Sequence, residues 1–464
     1  MPMKRLPTSI QGLDDILEGG LFSGGVYILE GPPGVGKTTL ANQVAYVLAR
    51  SGERTLYVTM LAESHSRMLQ HMENQDFFDQ QQVNARVFYI SGYLELDKGG
   101  LEGVVDLLRA ELKRSQASLL VIDGLVVERG TRSADESVRR FVHELQSLVS
   151  AMSCTCLVLT SGNGNVLSAE QTMVDGIFSF EDHGFHWRAE RRMQVRKFRG
   201  SQVIRGSHTF CITRKGLQFF PRLESLPLPT ARGPATPGCV ATGLPVLDKL
   251  LQDGGVMSGS AGVVIGDSGS GKTTVALAFA SVSSLGAPGL LMSCTESPED
   301  HRRAGARLGL AIGEAIDSGA ILIERLGLEQ ESMDEMGHKI LRLVDELGVR
   351  RLVVDGLAGM ADTLAFPERG YRFLGRLLHE LRQRGVTSLF TVDPAALELA
   401  AGTPLAEGVV GWFDNAFVFG KFPATGSSPG GRHLTVAKVR GGLARQAVVD
   451  VQINPSDAKL PPGV

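Results

Sequence analysis

The chain has 464 residues, 43% hydrophobic and 21% charged, which is length enough for two or more buried cores. Its formal net charge is −3, and the part up to residue 225 sets 25 basic against 25 acidic residues. That balance excludes a global positive field able to gather nucleic acid or anionic lipid. Five cysteines without a CxxC pair fit a reducing compartment better than a disulfide framework. No uncharged apolar run reaches the roughly 18 residues of a membrane span, and MPMKRLPTSIQG lacks the apolar stretch of a secretory signal. The expected location is the cytoplasm, with no membrane partner.

In chain order, VYILE is the first predicted central strand, and it runs into GPPGVGKTT at Gly31 to Thr39. The helical stretch TTLANQVAYVLA follows. This satisfies G-x-x-x-x-G-K-[ST] in its strand–loop–helix context, a cradle for the phosphates of ATP. Gly31, Gly34, Val35, Gly36 and Thr39 form the loop. Lys37 reaches the β/γ-phosphates, and Thr38 offers a hydroxyl to Mg²⁺. The next strand, LYVTMLAES, ends on Glu63, and SLLVIDG closes on Asp123, an acid placed to hold the metal's water shell. A helix is predicted over residues 136–151, where Val138, Phe141, Val142, Leu145, Leu148 and Val149 fall on one face. CLVLT and GIFSF are further strands, with Cys154 and Cys156 facing one side as core residues. HWRAERRMQVRKFRG and HTFCITRKGLQFF are predicted to close the half as antiparallel hairpin strands.

LPLPTARGPATPG, with four prolines, is a semi-rigid linker over residues 226–238. It separates an N-terminal domain, residues 1–225, from a second, residues 239–464, that repeats the same landmarks. TSIQGLDDILEGG returns as TGLPVLDKLLQDGG. The second cradle, GDSGSGKTT, supplies Gly266, Gly269, Ser270, Gly271, Lys272, Thr273 and Thr274. Then come Glu296 after LLMSCT, Asp355 after RLVV, SLFTV, AFVFG and AKVRG. Offsets of 235, 233, 232 and 241 residues between paired landmarks describe duplicated domains rather than a solenoid. Strand–helix alternation in both halves predicts α/β domains, each a mostly parallel sheet flanked by helices with a C-terminal antiparallel hairpin.

Ser297-Pro298-Glu299-Asp300 is an N-cap with proline at the first helical position and an acid at the third. Glu296 therefore stands at the carboxyl edge of its strand, as Glu63 does before Ser64, where a carboxylate orients and deprotonates water; either acid could instead serve only to start a helix. Met60 and Met292 fall in strands as core residues, and His183, His186 and His208 lack metal-ligand spacing.

The tandem cradles, TGLPVLD, the strand-end glutamate and the closing K-x-R-G together resemble the KaiC-like branch of the RecA-type P-loop ATPases over almost the whole chain. That resemblance implies two RecA-like folds and a homo-oligomeric ring, usually a hexamer, with ATP held between subunits. It gives Asp123 and Asp355 the Walker B role. It also sends Lys197 and Arg199, and likewise Lys438 and Arg440, into the neighbour's site, where cations offset charge developing on the transferred phosphate. The family usually carries two adjacent glutamates at the strand end; Ala62 and Thr295 replace the first. The adjacent Ser-Thr pair autophosphorylated in the clock member is replaced by Val410 and Gly411, and a histidine after K-x-R-G by Val203 and Ala444. The expectation is a slow ATP hydrolase, not an autokinase, passing its state to protein partners. Two alternatives stay open: a nucleic-acid-dependent motor or recombinase, and an ATP-assembled scaffold with vestigial turnover. Residues 188–205 pack seven basic residues with one acid, flanked by Trp187. They are a subunit clamp with the other arginines solvated, or a strip for single-stranded nucleic acid.

Overall fold

Apolar five-residue runs without polar interruption need cover on both faces, and the amphipathic segments between them supply it. The computed structural model describes residues 4–60, 65–125, 132–161, 173–185, 188–227, 238–395, 410–421, 432–440 and 448–450. It divides into two compact units, Met1–Leu226 and Pro227–Val464.

The first unit is built on one nine-stranded sheet. From one edge its strands run Gly216–Phe220, Ser207–Thr213, Arg188–Phe198, Gly176–Phe185, Val26–Glu30, Thr155–Thr160, Leu119–Asp123, Thr55–Thr59 and Val87–Ser91. The last six are mutually parallel, and the first three join antiparallel, as the closing hairpins predict. Alternation along each strand sends side chains to two core layers. Tyr27, Leu29, Tyr57 and Leu157 pack with Ala41, Val44 and Ala45 of the helix Lys37–Arg50. On the other face Val26, Ile28, Val58, Ile122 and Cys156 pack with Val142, Leu145 and Val149 of the helix Arg132–Ala151. Cys154 and Cys156 are fully buried there, so they are core residues, and burial pushes the Cys154 thiol up to about 12.

The second unit repeats the plan. Its described strands run Ile321–Arg325, Gly289–Ser293, Arg351–Asp355, Thr387–Val392, Ala261–Ile265, Asn415–Lys421, Arg432–Lys438 and Val448–Asp450. The first six are parallel and the last two antiparallel. The repeated TSIQGLD and TGLPVLD stretches share one local lock. Thr8 donates both its amide and hydroxyl hydrogens to Asp14 Oδ1, at 2.9 and 2.7 Å, and Thr242 does the same to Asp248 Oδ1, both at 2.7 Å. Among the described residues no helix is long and apolar enough to cross a membrane.

Candidate active sites

In each unit a central strand ends at the glycine-rich loop, Val26–Glu30 before Gly31 and Ala261–Ile265 before Gly266. The helices Lys37–Arg50 and Lys272–Ser281 start directly from those loops. Their N-caps, Gly36 (φ 114°) and Gly271 (φ 112°), are left-handed and carry no side-chain cap. Bare N–H groups at a helix start form an anion site. At Gly34 and Gly269, also left-handed, an added Cβ would meet nothing within 4 Å, so the loop is open there. Val35 and Ser270 are buried beneath it, and Thr39 and Thr274 are half-buried in the first helical turn.

Lys37 Nζ donates to the carbonyls of Gly31 and Pro32 at 2.6 and 2.8 Å, and Lys272 Nζ to those of Gly266 and Asp267 at 2.7 and 2.8 Å. Burial draws both ammonium groups below the ordinary lysine range. Asp123 opposes the shift in the first site, and Asp393, Asp355 and Asp267 oppose it in the second. Thr38 Oγ1 donates to Asp123 Oδ2 at 2.9 Å, and Thr273 Oγ1 to Asp355 Oδ2 at 3.0 Å. Those partners lie 85 and 82 residues apart in sequence, yet both folds bring them together. Hard oxygen donors beside a lysine at a helix N-terminus fit a magnesium-bound triphosphate.

Glu296 lies three residues beyond the strand Gly289–Ser293, before the helix Pro298–Arg307. Ser297 caps that helix through a reciprocal capping box with Asp300, and Pro298 opens it. The Ser297 hydroxyl and amide, with Arg303, hold the Asp300 carboxyl at about 2, below its ordinary 3.8. A depressed carboxyl contributes stability that is complete above its unfolded value and is lost as pH falls through about 2. Ser297→Ala is expected to speed amide exchange in the first turn of this helix by about fivefold, measured by hydrogen–deuterium exchange near neutral pH. The Glu296 carboxylate is 43% exposed, and its Oε2 lies 3.2 Å from Nδ1 of the fully buried His301. That is an ion-pair distance, although the direction is not that of a hydrogen bond. Glu63, with Ala62, lies outside the described residues, as do His186, Trp187, Ala444 and linker residues 228–237.

The K-x-R residues lie elsewhere on the sheet, at and beyond the ends of the strands Arg188–Phe198 and Arg432–Lys438. Lys197 pairs across the strands with Ile177, which lies beside Ile28, while Arg199 donates its amide hydrogen to the Asp175 carbonyl below the start of Val26–Glu30. Lys438 pairs with Ala416 beside Val263, and the Arg440 amide donates to Asn415 Oδ1 at 3.4 Å. Both lysines thus lie level with the middle of the strand that feeds their own unit's phosphate loop, and both arginines toward its start, away from the loop. A β-bulge in each strand, at Arg196 and Ala437, shifts the register just before the lysine, the device by which sheets re-aim side chains. Lys197 lines an open cleft with Gln194, Ser201, Gln202 and Arg205. Lys438 Nζ donates to the Phe413 carbonyl at 2.7 Å, and the exposed Arg440 pairs with Asp414 at 2.8 Å. Burial alone would raise Asp414, but the Ala261 amide, Arg440 and Arg382 outweigh it and hold the carboxyl below its usual range. Asp175 is its counterpart, accepting from the Val26 amide at 2.9 Å.

Several residues here escaped the sequence reading. Tyr57 donates to Asp123 Oδ2 at 2.7 Å, and Thr391 to Asp355 Oδ1 at 2.5 Å. Asp393 follows the strand Thr387–Val392 and adds an acid near Lys272. None belongs to a contiguous motif; only strand register brings Tyr57 and Thr391 to the aspartates. The basic strip needs a correction, since its remaining arginines are not all solvated. Arg192 is 2% exposed and paired with Glu190, and Arg196 reaches the buried Glu30 at 3.0 Å. A side chain buried to satisfy an internal acid is withdrawn from a nucleic-acid surface. His208 is also internal: Nε2–H donates to the Ile204 carbonyl at 2.7 Å while Nδ1 accepts from the Arg222 amide at 3.1 Å. Among the described residues no cluster of His, Cys, Asp and Glu could hold a metal by itself.

The family model described as "ATPase: KaiC" matches residues 6–224 and again residues 240–460. Similar proteins include the circadian clock protein KaiC2 of Synechocystis, 25% identical over 403 residues, covering 83% of this chain and 69% of that protein. The circadian clock oscillator protein KaiC of Picosynechococcus is 23% identical, covering 77% and 71%. A UPF0273 protein of Thermotoga maritima is 27% identical, covering 47% of this chain and 97% of its own length. Both matched segments contain a complete loop, lysine, threonine and aspartate set, and the chain belongs to the KaiC family of ATPases, with its domain present twice in tandem.

Proposed function

We propose that this chain is an ATP hydrolase with two sites per subunit, each completed by an adjoining copy in a ring, and that its nucleotide state is passed to protein partners. The observation that carries this reading is the duplicated pairing of Thr38 with Asp123 and of Thr273 with Asp355 beside a loop lysine. In it, Lys37 and Lys272 hold the β/γ-phosphates, and loop amides of Gly34, Gly36, Gly269 and Gly271 help cradle them. Thr38 with Asp123, and Thr273 with Asp355, hold Mg²⁺, which supplies charge neutralisation at the phosphate oxygens. Glu296, and Glu63 in the other half, orient the attacking water and take its proton. Lys197 with Arg199, and Lys438 with Arg440, serve the neighbour's phosphates; their position away from their own loops supports that assignment.

Phosphate release with ATP and Mg²⁺ tests the reading. Lys37→Ala and Lys272→Ala are each expected to remove one half's share of turnover, and the double variant to fall to background. Wild-type turnover in the double variant would exclude both cradles. Binding without turnover in the wild type would leave the scaffold role. Tight, salt-sensitive binding of single-stranded DNA would favour the nucleic-acid motor.

A further inference from the structure

The two halves hold their metal-site aspartates by different means. In the N-terminal half the fully buried Tyr57 donates to Asp123 Oδ2 at 2.7 Å, the same oxygen that accepts from Thr38. Behind it lies a chain of polar groups. Asn42 Nδ2 stands 3.3 Å from the Tyr57 hydroxyl and donates to the Thr38 carbonyl at 2.8 Å. Tyr89 donates to Asn42 Oδ1 at 2.8 Å, and the Tyr46 hydroxyl is 3.2 Å from that of Tyr89. In the C-terminal half Thr391 donates to Asp355 Oδ1 at 2.5 Å and accepts from the Gly356 amide at 2.9 Å, while Thr273 takes the other oxygen.

Strand register shows this to be an exchange. Tyr57 lies beside Val121, two residues before Asp123, and the matching place beside Val353 is Leu291. Thr391 lies directly beside Asp355, and the matching place beside Asp123 is Leu159. Each half therefore has one donor and one leucine, in opposite positions on the two strands flanking the aspartate. A buried neutral donor fixes the carboxylate's rotation without removing its charge, and such support typically changes metal affinity by roughly 10–100-fold.

We infer that Tyr57 in the N-terminal half and Thr391 in the C-terminal half are the positioning residues for the metal-binding aspartates, so that metal affinity is set separately in each half. This rests on the proposed reading that Asp123 and Asp355 hold the metal. The test is a Mn²⁺ titration of the full-length protein in the presence of ADP, followed by electron paramagnetic resonance, with the C-terminal cradle disabled by Lys272→Ala. Tyr57→Phe is expected to weaken Mn²⁺ binding by roughly tenfold, and adding Leu159→Thr to restore it by supplying a hydroxyl from the other strand. On the opposite background, Lys37→Ala, Thr391→Val is expected to weaken binding similarly, which keeps the inference testable if Tyr57→Phe does not fold. Asp123→Asn separates the two levels. Unchanged Mn²⁺ affinity in that variant overturns the reading of the site and the inference with it. Weakened affinity in Asp123→Asn with wild-type affinity in Tyr57→Phe overturns the inference alone.

Discussion

Two preparations that are each inactive in the C-terminal half are expected to regain turnover when mixed. In the proposed mechanism Lys272→Ala removes the ammonium that grips the phosphates in a subunit's own cradle. Lys438→Ala removes a cation that, in the proposed ring, serves the neighbour's cradle. Cations in that role are worth roughly 10³–10⁵ in turnover, so each variant alone should be close to silent in this half. The sheet geometry makes the two losses complementary. Lys438 lies level with Val263, midway along the strand that runs into Gly266, and its ammonium donates to the Phe413 carbonyl rather than to the loop, so in the proposed ring one subunit's clamp and cradle belong to different seams. In a randomly mixed ring with head-to-tail contacts, about a quarter of the seams combine an intact cradle with an intact clamp. Turnover should recover to about that fraction, measured as phosphate release in a Glu63→Gln background that lowers the N-terminal contribution. A mixture whose subunits have exchanged, shown by native mass spectrometry, but which stays at the level of its parents, would place Lys438 outside the reaction.

Replacing Glu296 by glutamine is the second large expected effect. The change keeps size and hydrogen-bonding capacity but removes the proton acceptor. Loss of a positioned general base costs typically 10²–10⁴-fold, so single-turnover hydrolysis in the C-terminal half should fall by roughly that factor while ATP binding is spared. Binding is expected to be spared because the carboxylate, beyond the strand Gly289–Ser293 and beside His301, is not among the groups proposed to grip the phosphates. Combined with Glu63→Gln, it should abolish phosphate release. Retention of wild-type turnover in the double variant removes both glutamates from the mechanism and leaves each as a residue that starts a helix.

Some of this was written in contiguous residues. Glycines that permit left-handed turns, a lysine and threonine at the next helix start, and apolar runs closing on aspartate are local features. They predict the cradles, the succession of strands along the chain and the duplication. The Ser297 cap was legible for the same reason, because its partner Asp300 lies three residues away. Family likeness in K-x-R-G then gave Lys197, Arg199, Lys438 and Arg440 a role that their spacing alone does not imply.

What the tertiary structure decided depends on register between strands distant in sequence. Tyr57 and Thr391 reach their aspartates across neighbouring strands, and a leucine in the matching place of the other half gives no local sign of the exchange. Burial was equally out of reach: Arg192 reads as one cation in a basic run, yet the fold turns it inward onto Glu190. Motif chemistry resides in neighbouring residues and survives in the primary sequence. The support around that chemistry arises where strands meet, so only the folded chain reveals which side chain holds which carboxylate.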